Sequence, residues 1–113
     1  MVAVQIVNTR WLLLLVMGLA SLPVSGQVTG SIIGQVTDSS GAGVPNVLVQ
    51  IVNSNTSFSR PVTTNEHGQY AAYGLPTGPY QVTVEAQGFA RLVRTGITVT
   101  AAAAITVDLQ LHV

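Results

Sequence analysis

Beyond residue 27 the chain alternates apolar and polar positions with a period of two. In residues 80–85, Tyr80, Val82 and Val84 fall on one side and Gln81, Thr83 and Glu85 on the other, the pattern of a strand with one face against a core. Residues 105–113 repeat it, with Ile105, Val107, Leu109, Leu111 and Val113 opposite four polar positions. The same reading predicts strands at 31–37, 47–53, 59–63, 69–73, 89–94 and 97–100. Turn residues separate them: Ser40-Gly41-Ala42-Gly43, Asn65-Glu66-His67-Gly68, Leu75-Pro76-Thr77-Gly78 and Gln87-Gly88. From residue 27 onward, 13 Val, 5 Ile and 11 Thr make up 29 of 87 residues, whereas apolar residues at helical spacing are missing. Alanines 101–104 favour a helix but are too few to nucleate one, so they read as a connection or a strand start. The pattern predicts an all-β chain of seven or eight short strands in an antiparallel β-sandwich.

The first 26 residues follow a different pattern. Arg10 precedes an apolar run from Trp11 to Ala20, and Ser21-Leu22-Pro23-Val24-Ser25-Gly26 then supplies a helix breaker and small residues. That order predicts a secretory signal peptide over residues 1–26. The run is shorter than the roughly 20 apolar residues that a membrane-spanning helix needs. Cleavage is expected after Gly26, with Ala20 as the second choice, leaving one domain at 27–113. The expected location is outside the cytoplasm, in a periplasm or at an outer membrane or cell surface.

Charge narrows the chemistry. Only 7% of the 113 residues are charged and no lysine is present. Residues 27–113 carry three arginines against four carboxylates, a net charge of −1 with both histidines neutral. This balance argues against nucleic acid, which requires clustered cations. With no cysteine, disulfides, thiolate-bound zinc and a thiol nucleophile are excluded. Asp38, Glu66, Glu85 and Asp108 lie on four different segments, the first two in turns and the last two read as solvated strand positions, so a paired acid–base site is not expected. His67 beside Glu66 offers two neighbouring ligands where zinc takes three or four. Gly41-Ala42-Gly43 leads into Val44-Pro45 and a strand, with no helix N-terminus to hold a phosphate. No catalytic residue, cofactor or metal is expected.

The punctuation also has a characteristic order. Gly34-Gln35-Val36-Thr37-Asp38 is followed by Val44-Pro45-Asn46-Val47, Asn65-Glu66-His67-Gly68-Gln69-Tyr70, Gly74-Leu75-Pro76-Thr77-Gly78-Pro79-Tyr80, Gln87-Gly88-Phe89 and Val107-Asp108-Leu109. Over about residues 28–113 this resembles the carboxypeptidase regulatory-like domain, a transthyretin-like (prealbumin-like) seven-stranded sandwich grouped with carbohydrate-binding-like folds. The resemblance implies a non-catalytic module with Tyr70, Tyr80 and Phe89 in its core. Similar bacterial domains often follow a signal peptide at the start of TonB-dependent outer-membrane receptors. The implied role is therefore an interaction or spacer module, either part of a longer reading frame or a free-standing secreted domain. Its partner is expected to be a protein or the remainder of a receptor chain. The similar pilin-type isopeptide crosslink needs a lysine that this chain lacks, and the Tyr-Arg-Gly-Ser ending of transthyretin-like hydrolases is replaced by Leu111-His112-Val113.

Strand parity suggests where contact occurs. If Ile32, Gly34 and Val36 point inward, Ile33 points outward, and inward Val47, Val49 and Ile51 turn Leu48 and Val52 outward. Tyr73 has the opposite parity to Tyr70 and also turns outward. Ile33, Leu48, Val52 and Tyr73 are the expected interaction surface, with Arg91 and Arg94 as a small polar rim. The alternative is a stand-alone carbohydrate-binding module, for which Tyr73 and Phe58, the latter placed in a polar loop, are the candidate aromatics. Asn55-Thr56-Ser57 is a glycosylation sequon in a eukaryotic host.

Overall fold

Eight strands form two facing sheets in the computed structural model, which describes residues 28–113. They are β1 (Thr29–Thr37), β2 (Leu48–Asn53), β3 (Ser59–Thr63), β4 (Gln69–Pro76), β5 (Gly78–Glu85), β6 (Leu92–Val99), β7 (Ala104–Thr106) and β8 (Leu109–Gln110). The first sheet has β1 in the middle, flanked by β4 on one side and by β7 and β8 on the other. The second runs β3-β2-β5-β6. The expected signal peptide lies outside the described residues. Among the described residues, no helix is long and apolar enough to cross a membrane.

Alternation builds the core as the sequence predicts. Ile32 and Val36 from β1, Val49 and Ile51 from β2, and Tyr80, Val82 and Val84 from β5 are all buried between the sheets. Val47 ahead of β2, Tyr70, Ala72 and Leu75 from β4, Ile97 and Val99 from β6, and Val107, Leu109 and Leu111 near the end of the chain complete the layer. Each large side chain moved from water into this layer contributes about 1.5–3 kcal/mol. Phe58, expected in a polar loop, instead packs partly against the core, as does Phe89.

Four details of strand pairing differ from the sequence reading. The last two strands pair with β1 in parallel, Ser31–Ala104 through Ile33–Thr106 on β7 and Val36–Leu109 on β8, so these two ladders of the sandwich are not antiparallel. Residues 105–113 are interrupted at Val107 and Asp108, and Val113 is 99% exposed rather than a fifth inward residue. The segments expected at 89–94 and 97–100 join into β6, whose register against β5 slips between Tyr80 and Val82. β4 likewise continues past Tyr73 to Pro76, with a slip opposite Gly30 and Ile32. Both slips are one-residue bulges, and each contains a glycine in the left-handed region, Gly96 (φ 75°) on β6 and Gly74 (φ 67°) on β4. Bulges of this kind bend a strand and re-aim its side chains.

Between β4 and β5 the chain crosses from one sheet to the other with only Thr77 outside a strand. The Tyr80 hydroxyl donates to the Pro76 carbonyl at 2.6 Å, the tyrosine-corner arrangement of β-sandwiches. At the opposite end, the β1–β2 and β3–β4 loops pack backbone to backbone. A Cβ on Gly43 would lie 2.0 Å from the His67 carbonyl oxygen, and one on Gly68 would lie 2.4 Å from that of Val36. Gly43 therefore serves close packing of two loops.

Candidate interaction faces

The four expected contact residues do not form one patch. Ile33 and Tyr73 lie on β1 and β4 of the first sheet, whereas Leu48 and Val52 lie on β2 of the second. Because all four turn away from the core, the sandwich separates them onto opposite outer faces. Alternation decides which way a side chain turns, not which sheet a strand joins.

On the second sheet the outward residues stand in cross-strand rows. Thr63, Leu48 and Glu85 share one row, and Pro61, Gln50, Thr83 and Val93 the next. Leu48 is 45% and Val93 40% exposed, while Val52 is half-buried. A shallow groove of ≈ 370 Å³ runs between Leu48, Gln50, Val52, Gln81 and Glu85. Arg91 closes it, its Nε 2.9 Å from Glu85 Oε1. Both side chains are well exposed, so this pair contributes little to stability. Arg94 is exposed on β6, in register with Val82. Pro61 sits on the edge strand β3, where its missing N–H discourages pairing with a further strand.

The outer face of the first sheet is different in character. Ala71, Ile33 and Thr106 form a low central row, and Gln69 pairs with Gln35 in the adjacent outward row. Tyr73 is at one end of β4's outward set and is 68% exposed. These residues and Asp108 border a shallow trough of ≈ 350 Å³. The backbone beneath Tyr73 is fixed from the other sheet. Arg60 Nη1 donates to the Tyr73 carbonyl at 2.8 Å, and the Arg60 guanidinium lies 5.6 Å from the centre of the Phe58 ring.

Most of the ionisable side chains have identifiable structural partners. Asp38 Oδ1 accepts hydrogen bonds from the Ser40 hydroxyl (2.6 Å), the Ser40 N–H (2.9 Å) and the Ala42 N–H (3.1 Å). The Ser40 hydroxyl above all, with the backbone donors, lowers the Asp38 pKa from its ordinary 3.8. Asp108, read from sequence as a solvated strand charge, has a structural role as well. Where β7 and β8 break, its Oδ1 accepts the Gln35 N–H at 3.0 Å, taking the place of a backbone carbonyl. Glu66 and His67 are exposed in a turn whose shape comes from Asn65, which accepts the N–H groups of His67 and Gln69, each at 2.9 Å. Among the described residues, no three His, Cys, Asp or Glu side chains group together.

The sequence reading missed that Gln35, Gln69 and Asp108 share an outer face with Tyr73, at the other end of the trough. Their outward parity was readable, but the parallel return of the last strand beside β1 was not.

The fold is shared with several solved structures. The Bacillus anthracis TIE protein superposes with a TM-score of 0.65 at 22% identity over 75% of this chain and 16% of its own. A putative carbohydrate binding protein from Bacteroides uniformis gives 0.61 at 17% identity, covering 76% of this chain and 42% of that one. Chlorocatechol 1,2-dioxygenase from Pseudomonas putida gives 0.64 at 11% identity, covering 80% and 63%. This chain spans less than two thirds of the length of each of these three, and at these identities the likeness concerns the fold alone. No curated protein matches the sequence. The profile of the carboxypeptidase regulatory-like domain, however, matches residues 31–112. The chain therefore belongs to the carboxypeptidase regulatory-like domain family.

Proposed function

We propose that the chain is an exported, non-catalytic β-sandwich that acts as an interaction or spacer module, serving as the N-terminal domain of a TonB-dependent outer-membrane receptor. The observation that carries the non-catalytic reading is the placement of its carboxylates. Asp38 is tied into its own loop, Asp108 forms a ladder rung, Glu85 pairs with Arg91, and Glu66 stands apart in an exposed turn. Acid–base work instead requires two such groups converging in unlike environments. The exported reading rests on the order of Arg10, the apolar run and Gly26.

Sequencing the gene past codon 113 tests the receptor context. A frame that continues into many alternating strands supports it, and an immediate stop overturns it. The contact role is tested by changing Leu48 and Val52 together to Thr. Weakened self-association or partner capture supports the second sheet as a docking face, and unchanged behaviour in both removes it.

A second reading, carbohydrate binding, is favoured by one specific feature: the exposed Tyr73 ring on the same outer face as the amides and carboxylate of the first sheet. The likeness to the putative carbohydrate binding protein supports it at the level of fold.

A further inference from the structure

Resting on the carbohydrate-binding reading, we propose that the outer face of the first sheet is a site for a neutral oligosaccharide. Tyr73 is its stacking platform, and Gln69, Gln35 and Asp108 are its polar end. Among the described residues, Tyr73 is the one aromatic side chain that is mostly exposed. It precedes the bulge glycine Gly74, and the Arg60 guanidinium anchors its carbonyl. The backbone that carries the ring is thus fixed before any ligand arrives, which lowers part of the ordering cost of binding.

The floor of the trough suits a flat ring. Ala71 and Thr106 are short and flank the half-buried Ile33, which gives the floor an apolar centre between the two ends. From Tyr73 to Gln69 is four residues of strand, about 13 Å, room for a short oligosaccharide. At the far end Asp108 commits Oδ1 to the backbone of Gln35, and its Oδ2 has no hydrogen bond from the described residues. Gln35 donates through Nε2 to the His67 carbonyl at 2.9 Å, which steadies its amide. Sugar recognition uses this combination: an apolar ring face on an aromatic, and hydroxyls shared among amides and a carboxylate. The Asp108 charge disfavours acidic sugars, which makes the ligand a neutral one. The second sheet's outer face lacks the ring, and its carboxylate is already paired with Arg91.

The test uses residues 27–113, which contain the whole core from Ile32 to Leu111. The labelled protein is titrated with cellohexaose, maltohexaose and xylohexaose while backbone amide resonances are followed. At least one of the three should shift Gln35, Ala71, Tyr73 and Thr106. Tyr73→Ala should weaken that binding about tenfold with no change in melting, Tyr73→Phe should restore it, and Leu48→Thr on the opposite face should leave it unchanged. Shifts confined to Leu48, Gln81 and Arg91 would keep the carbohydrate reading and overturn this site, as would unaltered affinity in Tyr73→Ala. No response to any of the three sugars would remove both the site and the carbohydrate reading, leaving the spacer role untouched.

Discussion

The Tyr70 hydroxyl reaches past Gly34, its cross-strand partner, to donate to the Val107 carbonyl oxygen. A Cβ at position 34 would lie 1.9 Å from that oxygen and 2.9 Å from the hydroxyl. The glycine is therefore part of a three-strand joint in which β4 is tied to the chain end across the back of β1. Gly34→Ala should destabilise the fold by about 3 kcal/mol, as expected when buried backbone must move aside. Tyr70→Phe in the same chain should not rescue it, because the carbonyl remains in the way. Urea denaturation of the single and double variants checks both statements.

The same joint predicts an alkaline limit. Burial, and secondarily the Asp108 charge, push the Tyr70 phenol well above its ordinary 10.0, with Arg94 opposing. A folded-state pKa above the unfolded one gives stability that is fully present below about pH 10 and is lost as pH rises beyond it. The urea midpoint should fall from about pH 9 to about pH 11, and this fall should be smaller in Tyr70→Phe.

Tyr80 is 1% exposed and also closes the corner between the sheets. Tyr80→Ala should cost about 3–5 kcal/mol, enough to abolish cooperative melting near ambient temperature in a domain of this size. Tyr80→Phe keeps the ring and loses only the bond to Pro76, so about 1 kcal/mol is expected. Thermal melts separate the two contributions.

Thr64 is a buried polar clasp. Its Oγ1 accepts the Val47 N–H at 2.9 Å and donates to the Val44 carbonyl at 2.8 Å. Thr64→Val preserves shape and strands both backbone groups, so a loss of about 1–3 kcal/mol is expected. Thr64→Ser should recover most of it, as read by chemical denaturation.

Asp38 responds at the acid end. Its lowered pKa means that the carboxylate's hold on the 38–42 loop is present above the unfolded value near 3.8 and is lost as pH falls through the lower folded value. Ser40→Ala removes the largest cause and should bring the Asp38 titration, followed by carboxyl resonances, back toward 3.8.

Local pattern carried much of this structure. Val47, Val49 and Ile51 turn inward as their spacing demands, and Gly41 and Gly68 take the positive φ that their turns require. What escaped was set by distant partners. Nothing local to Leu109 says that it lies beside Val36 and runs in the same direction. Nothing at Thr95-Gly96 distinguishes a bulge inside one strand from a turn between two, since glycine serves both. The contact surface suffered most, because outward parity is a property of one strand, whereas a surface requires knowing which strands are neighbours. Ile33 and Leu48 were each oriented correctly and still ended on opposite sides of the molecule.

The parallel return of the last strands has a mechanical consequence. β1 and β8 end at the same pole, so the polypeptide enters the sandwich at one extremity and leaves at the other. Tension applied through flanking segments would load the first and last strands in shear. The bonds from Ser31 to Ala103, Val107 to Ile33 and Leu111 to Thr37, together with the Gln35–Asp108 link, would share that force side by side instead of unzipping in turn. A bead wired in this way resists stretching along its axis, a property suited to a tether between two moving bodies.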